Sequence, residues 1–141
     1  MKKRKYVVDA CVIFKFFLQQ GEDYIEQTRA LRKNYLEAGV LELLVPPLWA
    51  YELGAIVQKR VEGAKEQDEF LKMILDLRLT KITFMQSDYR GILKLSRKFA
   101  TSYYDTSYLY AAIMNNCSFI TADEKFMSKV KSSRVIHIRN Y

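Results

Sequence analysis

A chain of 141 residues, half of them apolar and 13% aromatic, is long enough for one compact domain over residues 1–141 and too short for two ordinary ones. That composition excludes a disordered tail, a fibrous repeat and a collagen-like chain. With 23 Lys and Arg against 16 Asp and Glu, the formal charge of +7 favours an anionic partner, nucleic acid before membrane, and has no bearing on fold.

The start, Lys2-Lys3-Arg4-Lys5, has the charge of a signal peptide, but Asp9 interrupts the first apolar run and Lys15 the next. No run approaches the roughly 20 residues of a membrane span. Cys11 and Cys117 are too few for a disulfide framework and lie in no zinc-binding spacing, which fits a reducing compartment. The expectation is a cytoplasmic protein with no membrane partner.

Residues 6–9 read as a buried strand that ends in an acid, and residues 10–19 carry Val12, Ile13, Phe16 and Phe17 at helical spacing. A helix over residues 23–37 follows, with Tyr24, Thr28, Leu31 and Tyr35 on one face and Gly39 as its stop. Residues 41–45 form the second strand. Pro47 then suits the first turn of a helix that holds Leu48, Tyr51, Glu52, Ala55 and Ile56 and runs to residue 62. A further helix spans residues 65–77, with Phe70, Leu71, Ile74 and Leu75 inward. Residues 80–84 make a weaker strand, and Ser87 is placed to cap a helix reaching residue 99. A helix over residues 105–115 leads into a strand over 118–121, a short helix after Asp123 and a last strand over 134–138.

Strands alternating with helices of this length imply crossover connections. The fold class is therefore α/β, a three-layer α/β/α arrangement around a five-stranded parallel sheet. Such sheets bind ligands outside the carboxyl ends of their strands.

Certain acids fall near those ends. Asp9 closes the first strand, Glu52 lies early in the helix after the second, and Asp123 follows the fourth directly. Asp105, at the start of the helix leading into that fourth strand, joins them if the preceding loop returns to the same edge. Taken singly, Asp123 also reads as the cap of a short helix, and Asp105 as a cap or a partner of the helix dipole. Asp9 is harder to explain away, since an acid directly after Val7-Val8 would be buried without a role. Clustered carboxylates repel, and a hard cation relieves the repulsion. Oxygen ligands without His or Cys suit Mg²⁺ or Mn²⁺, and phosphodiester hydrolysis is the reaction that joins such a site to a basic surface.

At these residues the sequence resembles the PIN-domain family and, in size and layout, its VapC-type toxins. Tyr6-Val7-Val8-Asp9-Ala10-Cys11-Val12 resembles the family's opening strand with the first catalytic acid. Pro47-Leu48-Trp49-Ala50-Tyr51-Glu52-Leu53 is similar to the segment carrying the second. Tyr104-Asp105-Thr106-Ser107-Tyr108-Leu109-Tyr110-Ala111-Ala112 is the most specific match, around the third. Thr121-Ala122-Asp123-Glu124-Lys125-Phe126 resembles the family's final Thr-x-Asp-x-x-Phe motif. The resemblance implies that Asp9, Glu52, Asp105 and Asp123 hold Mg²⁺ or Mn²⁺ and cleave RNA, with the Thr121 hydroxyl supporting the cluster. It also implies a homodimer and a cognate antitoxin whose C-terminal segment blocks the site. Two positions depart from the family pattern: Cys11 stands where Ser, Thr or Asn is frequent, and Lys125 where many relatives carry an acid.

Lys125, Lys129, Lys131 and the Lys2 to Lys5 run are the candidate phosphate contacts. Most of the ten tyrosines, Tyr24, Tyr35, Tyr51 and Tyr108 among them, fall at helical spacing and read as core or dimer face. Trp49 reads as packing and His137 as an ordinary strand residue. The leading function is a metal-dependent endoribonuclease acting as a toxin. The alternative, motivated by Cys11 and Lys125, is a catalytically weak or inactive domain of the same fold that binds RNA or protein. An aspartyl phosphatase would need a second acid two residues after the first, where Cys11 stands.

Overall fold

The computed structural model describes residues 2–18 and 20–141. Five strands, β1 (Arg4–Val8), β2 (Leu41–Val45), β3 (Thr80–Lys81), β4 (Ser118–Thr121) and β5 (Val135–His137), form one sheet in the order β3-β2-β1-β4-β5. All four pairings are parallel, with Tyr6 opposite Leu43 on one side and Ser118 on the other. Among the described residues, seven α-helices accompany them: α1 (Ala10–Phe14), α2 (Ile25–Leu36), α3 (Trp49–Arg60), α4 (Ala64–Leu75), α5 (Gln86–Phe99), α6 (Tyr103–Met114) and α7 (Glu124–Lys129). Among the described residues, no helix is long and apolar enough to cross a membrane.

The inner strands are covered on both faces, so they read as continuous apolar runs rather than alternating ones. Val7, Val8, Leu43, Val45 and Ile120 are fully buried. Helix α6 lies against β1 and β4 and packs on α5, while α1 packs on α3. Strand order reverses between β1 and β4: the chain steps outward through β2 and β3, then returns to the other side of β1. That switch point opens a crevice at the carboxyl ends of the two central strands, because the connections leaving them diverge.

Several local expectations are corrected. Helix α1 ends at Phe14 with Lys15 as its C-cap, and Gln19, the expected last residue, lies outside the described residues. Phe14 and Phe16 are both buried, and two residues apart on a helix they would point to opposite sides, so the chain tightens into turns instead. Strand β3 is two residues long, a short edge strand. Ser87 does not cap α5. The cap position is Met85, whose backbone N–H donates to Asp88 Oδ2 at 2.8 Å. Tyr51 is 82% exposed, because α3 turns Trp49, Leu53 and Val57 inward, whereas Tyr108 is buried. Lys2 to Lys5 stand at the amino end of β1, opposite the acidic edge. At about 3.3 Å per residue that separates Lys5 from Asp9 by roughly 13 Å, which removes the run from the crevice mouth.

Candidate active site

Asp9 follows β1 directly and caps α1 in extended backbone. Its Oδ1 accepts the Cys11 N–H at 3.1 Å, and its Oδ2 accepts the Thr121 hydroxyl at 3.0 Å. The Asp9 N–H in turn donates to the Ile120 carbonyl at 3.1 Å, continuing the β1–β4 ladder to its end. The Thr121 oxygen also accepts the Asp123 N–H at 3.0 Å. One hydroxyl at the tip of β4 thus ties together the backbone of one acid and the side chain of another.

Asp123 is the N-cap of α7, its Oδ1 accepting the Phe126 N–H at 2.9 Å. It is both a cap and a cleft acid, so the two readings of this residue are compatible. Asp105 is not the cap of α6. Ser102 is, with its hydroxyl accepting the Asp105 N–H at 3.0 Å, which leaves the carboxylate of Asp105 in the first helical turn. Glu52 sits in the first turn of α3.

These elements bring Asp9, Glu52, Asp105 and Asp123 onto the wall of one cleft of about 380 Å³ at the switch point. Among the described residues, no three His, Cys, Asp or Glu side chains form a ready-made metal-ligand group. Burial pushes the Asp9 carboxyl upward, and the charges of Asp105 and Asp123 add to the rise; the hydrogen bonds from Cys11 and Thr121 oppose it without cancelling it. Burial likewise raises Glu52, reinforced by Asp9 and Asp105. Its Oε1 is buried without a completed hydrogen bond, and the Tyr108 hydroxyl beside it, likewise buried and unpartnered, partly opposes the rise. Four carboxylates on one cleft wall, with one Glu52 oxygen unpartnered and no His or Cys among the four, fit a hard divalent cation.

Cys11 also faces the cleft, and desolvation together with Asp9 and Glu52 pushes its thiol up to about 12. At neutral pH it remains a neutral thiol, a poor stand-in for a polar ligand. An adjoining hollow shares Asp105 and Asp123 and adds Thr101, Lys125 and Lys129, so two of the expected phosphate contacts do border the acids. The Lys129 ammonium already donates to the Ala100 carbonyl at 3.0 Å.

Three charged residues away from the strand ends also line the cleft: Lys15, Glu22 and Arg60. A signal existed for Arg60, because Glu52, Ile56 and Arg60 recur at i, i+4 and i+8 on α3 and share the cleft-facing side. None existed for Glu22, which belongs to an irregular segment. His137 lies in the last strand, as expected, and closes it. It is fully buried beside Thr121 in the sheet, and its Nδ1 accepts the Arg139 N–H at 3.1 Å. Burial lowers its pKa, and its Nε2 has no hydrogen-bond partner, lying 3.6 Å from Glu124.

A family model described as PIN domain matches residues 6–131. No curated protein matches the chain. Among solved structures, PAE2754 from Pyrobaculum aerophilum is similar at 17% identity, with 97% of this chain and 91% of that one covered and a TM-score of 0.68. FitAcB from Neisseria gonorrhoeae is similar at 13% identity, 96% and 99% coverage and a TM-score of 0.67. VapBC2 from Rickettsia felis, solved bound to a DNA fragment from its promoter, is similar at 15% identity, 94% and 98% coverage and a TM-score of 0.65.

Proposed function

Since the chain belongs to the PIN-domain family, we propose that it is a metal-dependent endoribonuclease and the toxin of a toxin–antitoxin pair, acting within one cytoplasmic domain. The observation that carries this reading is the gathering of four carboxylates from four separate segments onto one cleft, with a buried Glu52 oxygen left unpartnered. Asp9, Glu52, Asp105 and Asp123 are the residues that would hold Mg²⁺ or Mn²⁺. When bound, such an ion supplies an acidified water and neutralises charge developing on a scissile phosphate.

The chain's own part is placement. Asp9 is locked by two hydrogen bonds and the strand ladder, so its carboxylate is pre-oriented rather than free to rotate. Thr121 holds Asp9 and the Asp123 backbone in one register. Lys125 and Lys129, on the far side of Asp105 and Asp123, are suited to neighbouring phosphates. A homodimer is supported by exposed apolar side chains around a groove lined by Leu48, Tyr51, Tyr89 and Tyr104, with Tyr104 63% exposed. The VapC-type motifs and the fold likeness to VapBC2 and FitAcB support an antitoxin partner.

The test incubates purified protein with RNA and Mg²⁺ or Mn²⁺, with and without EDTA, alongside a folded Asp105→Asn variant. Cleavage is expected with metal and lost with chelator and in the variant. Full activity of Asp105→Asn would overturn the site assignment. Binding of RNA without cleavage by the wild type would favour the binding-module reading, for which the neutral Cys11 thiol is the specific observation. Thr121→Val removes the hydroxyl shared by Asp9 and Asp123. A loss of about 10–100-fold in kcat with little change in KM is expected, as for other residues that orient metal ligands. Steady-state kinetics on the folded variant checks it.

A further inference from the structure

A strand of phosphates entering a cleft walled by four carboxylates meets repulsion, and a bound cation answers it only at its own position. The same wall carries two basic side chains. Lys15 is the C-cap of α1 and Arg60 the last residue of α3, and both line the cleft with the acids. Neither is free at rest, since both face Glu22. Arg60 is paired with its carboxylate, and the Lys15 ammonium lies 3.6 Å from Glu22 Oε2. The Glu22 side chain is only 9% exposed, so this carboxylate is built into the wall.

The two cations are held differently. The Lys15 side chain is 10% exposed, donates to the Asp23 carbonyl at 3.3 Å and lies over the Tyr24 ring at 5.4 Å. Arg60 is 44% exposed, and its guanidinium lies 5.9 Å from the centre of the Phe14 ring. Lys15 is anchored, whereas Arg60 is the more exposed of the two and is paired with Glu22 through a single nitrogen. One carboxylate facing two cations leaves the triad at a net charge of +1, matched to a phosphodiester of charge −1. A guanidinium that pairs with a carboxylate through one nitrogen is equally suited to a phosphate, whose oxygens can take two of its donors at once.

We propose that Lys15 and Arg60 form a backbone-phosphate site of the substrate strand, masked in the empty protein by Glu22, from which Arg60 swings to the incoming phosphate. The proposal rests on the nuclease reading for the identity of the strand. With Lys125 on the other side of Asp105 and Asp123, it runs the strand across the acids between two basic flanks.

The experiment measures binding of a 5′-fluorescein-labelled single-stranded RNA 12-mer by anisotropy over a range of salt, in a cleavage-defective Asp9→Asn background. Arg60→Ala is expected to weaken binding about tenfold. It should also reduce the slope of log Kd against log salt by about 0.7, the value for one lost phosphate contact on a single strand. Arg60→Lys should restore the slope but not the full affinity, because the ammonium keeps the charge and lacks the fork. Glu22→Gln should tighten binding severalfold by removing the competing carboxylate. An unchanged slope in Arg60→Ala, or weaker or unchanged binding in a folded Glu22→Gln, would overturn the proposal. Should Glu22→Gln fail to fold, the slopes of the more exposed Arg60 variants decide. The two readings fail separately: RNA cleavage by the wild type with unmoved slopes removes the phosphate site alone. Absence of wild-type cleavage with the slopes shifted removes the nuclease and keeps the site.

Discussion

Asp9→Asn is expected to lower RNA cleavage about a thousandfold while raising the stability of the metal-free protein. The activity loss follows from removing the one acid that is fixed on both oxygens at the switch point, where a bound metal is worth several kcal/mol of transition-state stabilisation; about 4 kcal/mol is about three powers of ten. The stability gain follows from the sign of the Asp9 shift. Its pKa is raised in the folded protein, from an ordinary value of 3.8, by burial and by Asp105 and Asp123. The folded state therefore holds this proton more tightly than the unfolded chain. Asp9 costs nothing below pH 3.8, and stability is lost as pH rises from there through the folded value. Glu52, also raised, contributes in the same direction. Asn keeps a side-chain oxygen for the Cys11 N–H, so the cap of α1 survives. Melting curves of both proteins in EDTA check this: the variant's advantage should widen between pH 4 and pH 7 and shrink when Mg²⁺ is added to the wild type. A variant less stable than the wild type at pH 7 without metal would show that the carboxylate stabilises the fold.

Phe119→Ala is expected to cost about 3–5 kcal/mol of stability, a drop of roughly 10–17 °C in Tm. Phe119 is 2% exposed at the centre of β4. Its ring stacks on Tyr108 at 5.4 Å between centroids and meets Phe126 edge-on at 5.8 Å. Tyr108 lies one turn beyond Asp105 on α6, and Phe126 is on α7, immediately after Asp123. The aromatic stack thus presses two acid-bearing elements onto the central strands, and its removal leaves a cavity that neither helix closes without moving its carboxylate. Denaturant unfolding gives the stability. Activity should fall as well, below the temperature at which the variant unfolds, whereas an Ile113→Ala change at a 45% exposed position of the same helix should alter neither.

What was legible in the chain reflects how strongly each feature is set by neighbours in sequence. Val7-Val8-Asp9 could be read because a parallel strand buried on both faces is an unbroken apolar run, and an acid at its end stands out. Asp123 was legible for the same reason after Phe119-Ile120-Thr121. The start of α5 departs from the local signal: Ser87 is a good cap residue, but Asp88 reaches back to the Met85 N–H and moves the boundary. The spacing of Tyr51 leaves core and dimer face open, and the structure excludes the core, because Trp49 and Leu53 bury more apolar area and set the rotation of α3.

The sequence by itself determined the α/β class, the count of five strands and the three acids at or just after strand ends, because periodicity and strand-end placement are properties of short segments. Only the tertiary structure decided that Asp105 joins the other three, that Thr121 bridges Asp9 and Asp123, and that Lys15, Glu22 and Arg60 share their wall. Those meetings depend on strand order. Because β4 returns to lie beside β1, residues 112 positions apart in the chain stand within a hydrogen bond of each other, and no local pattern encodes that approach.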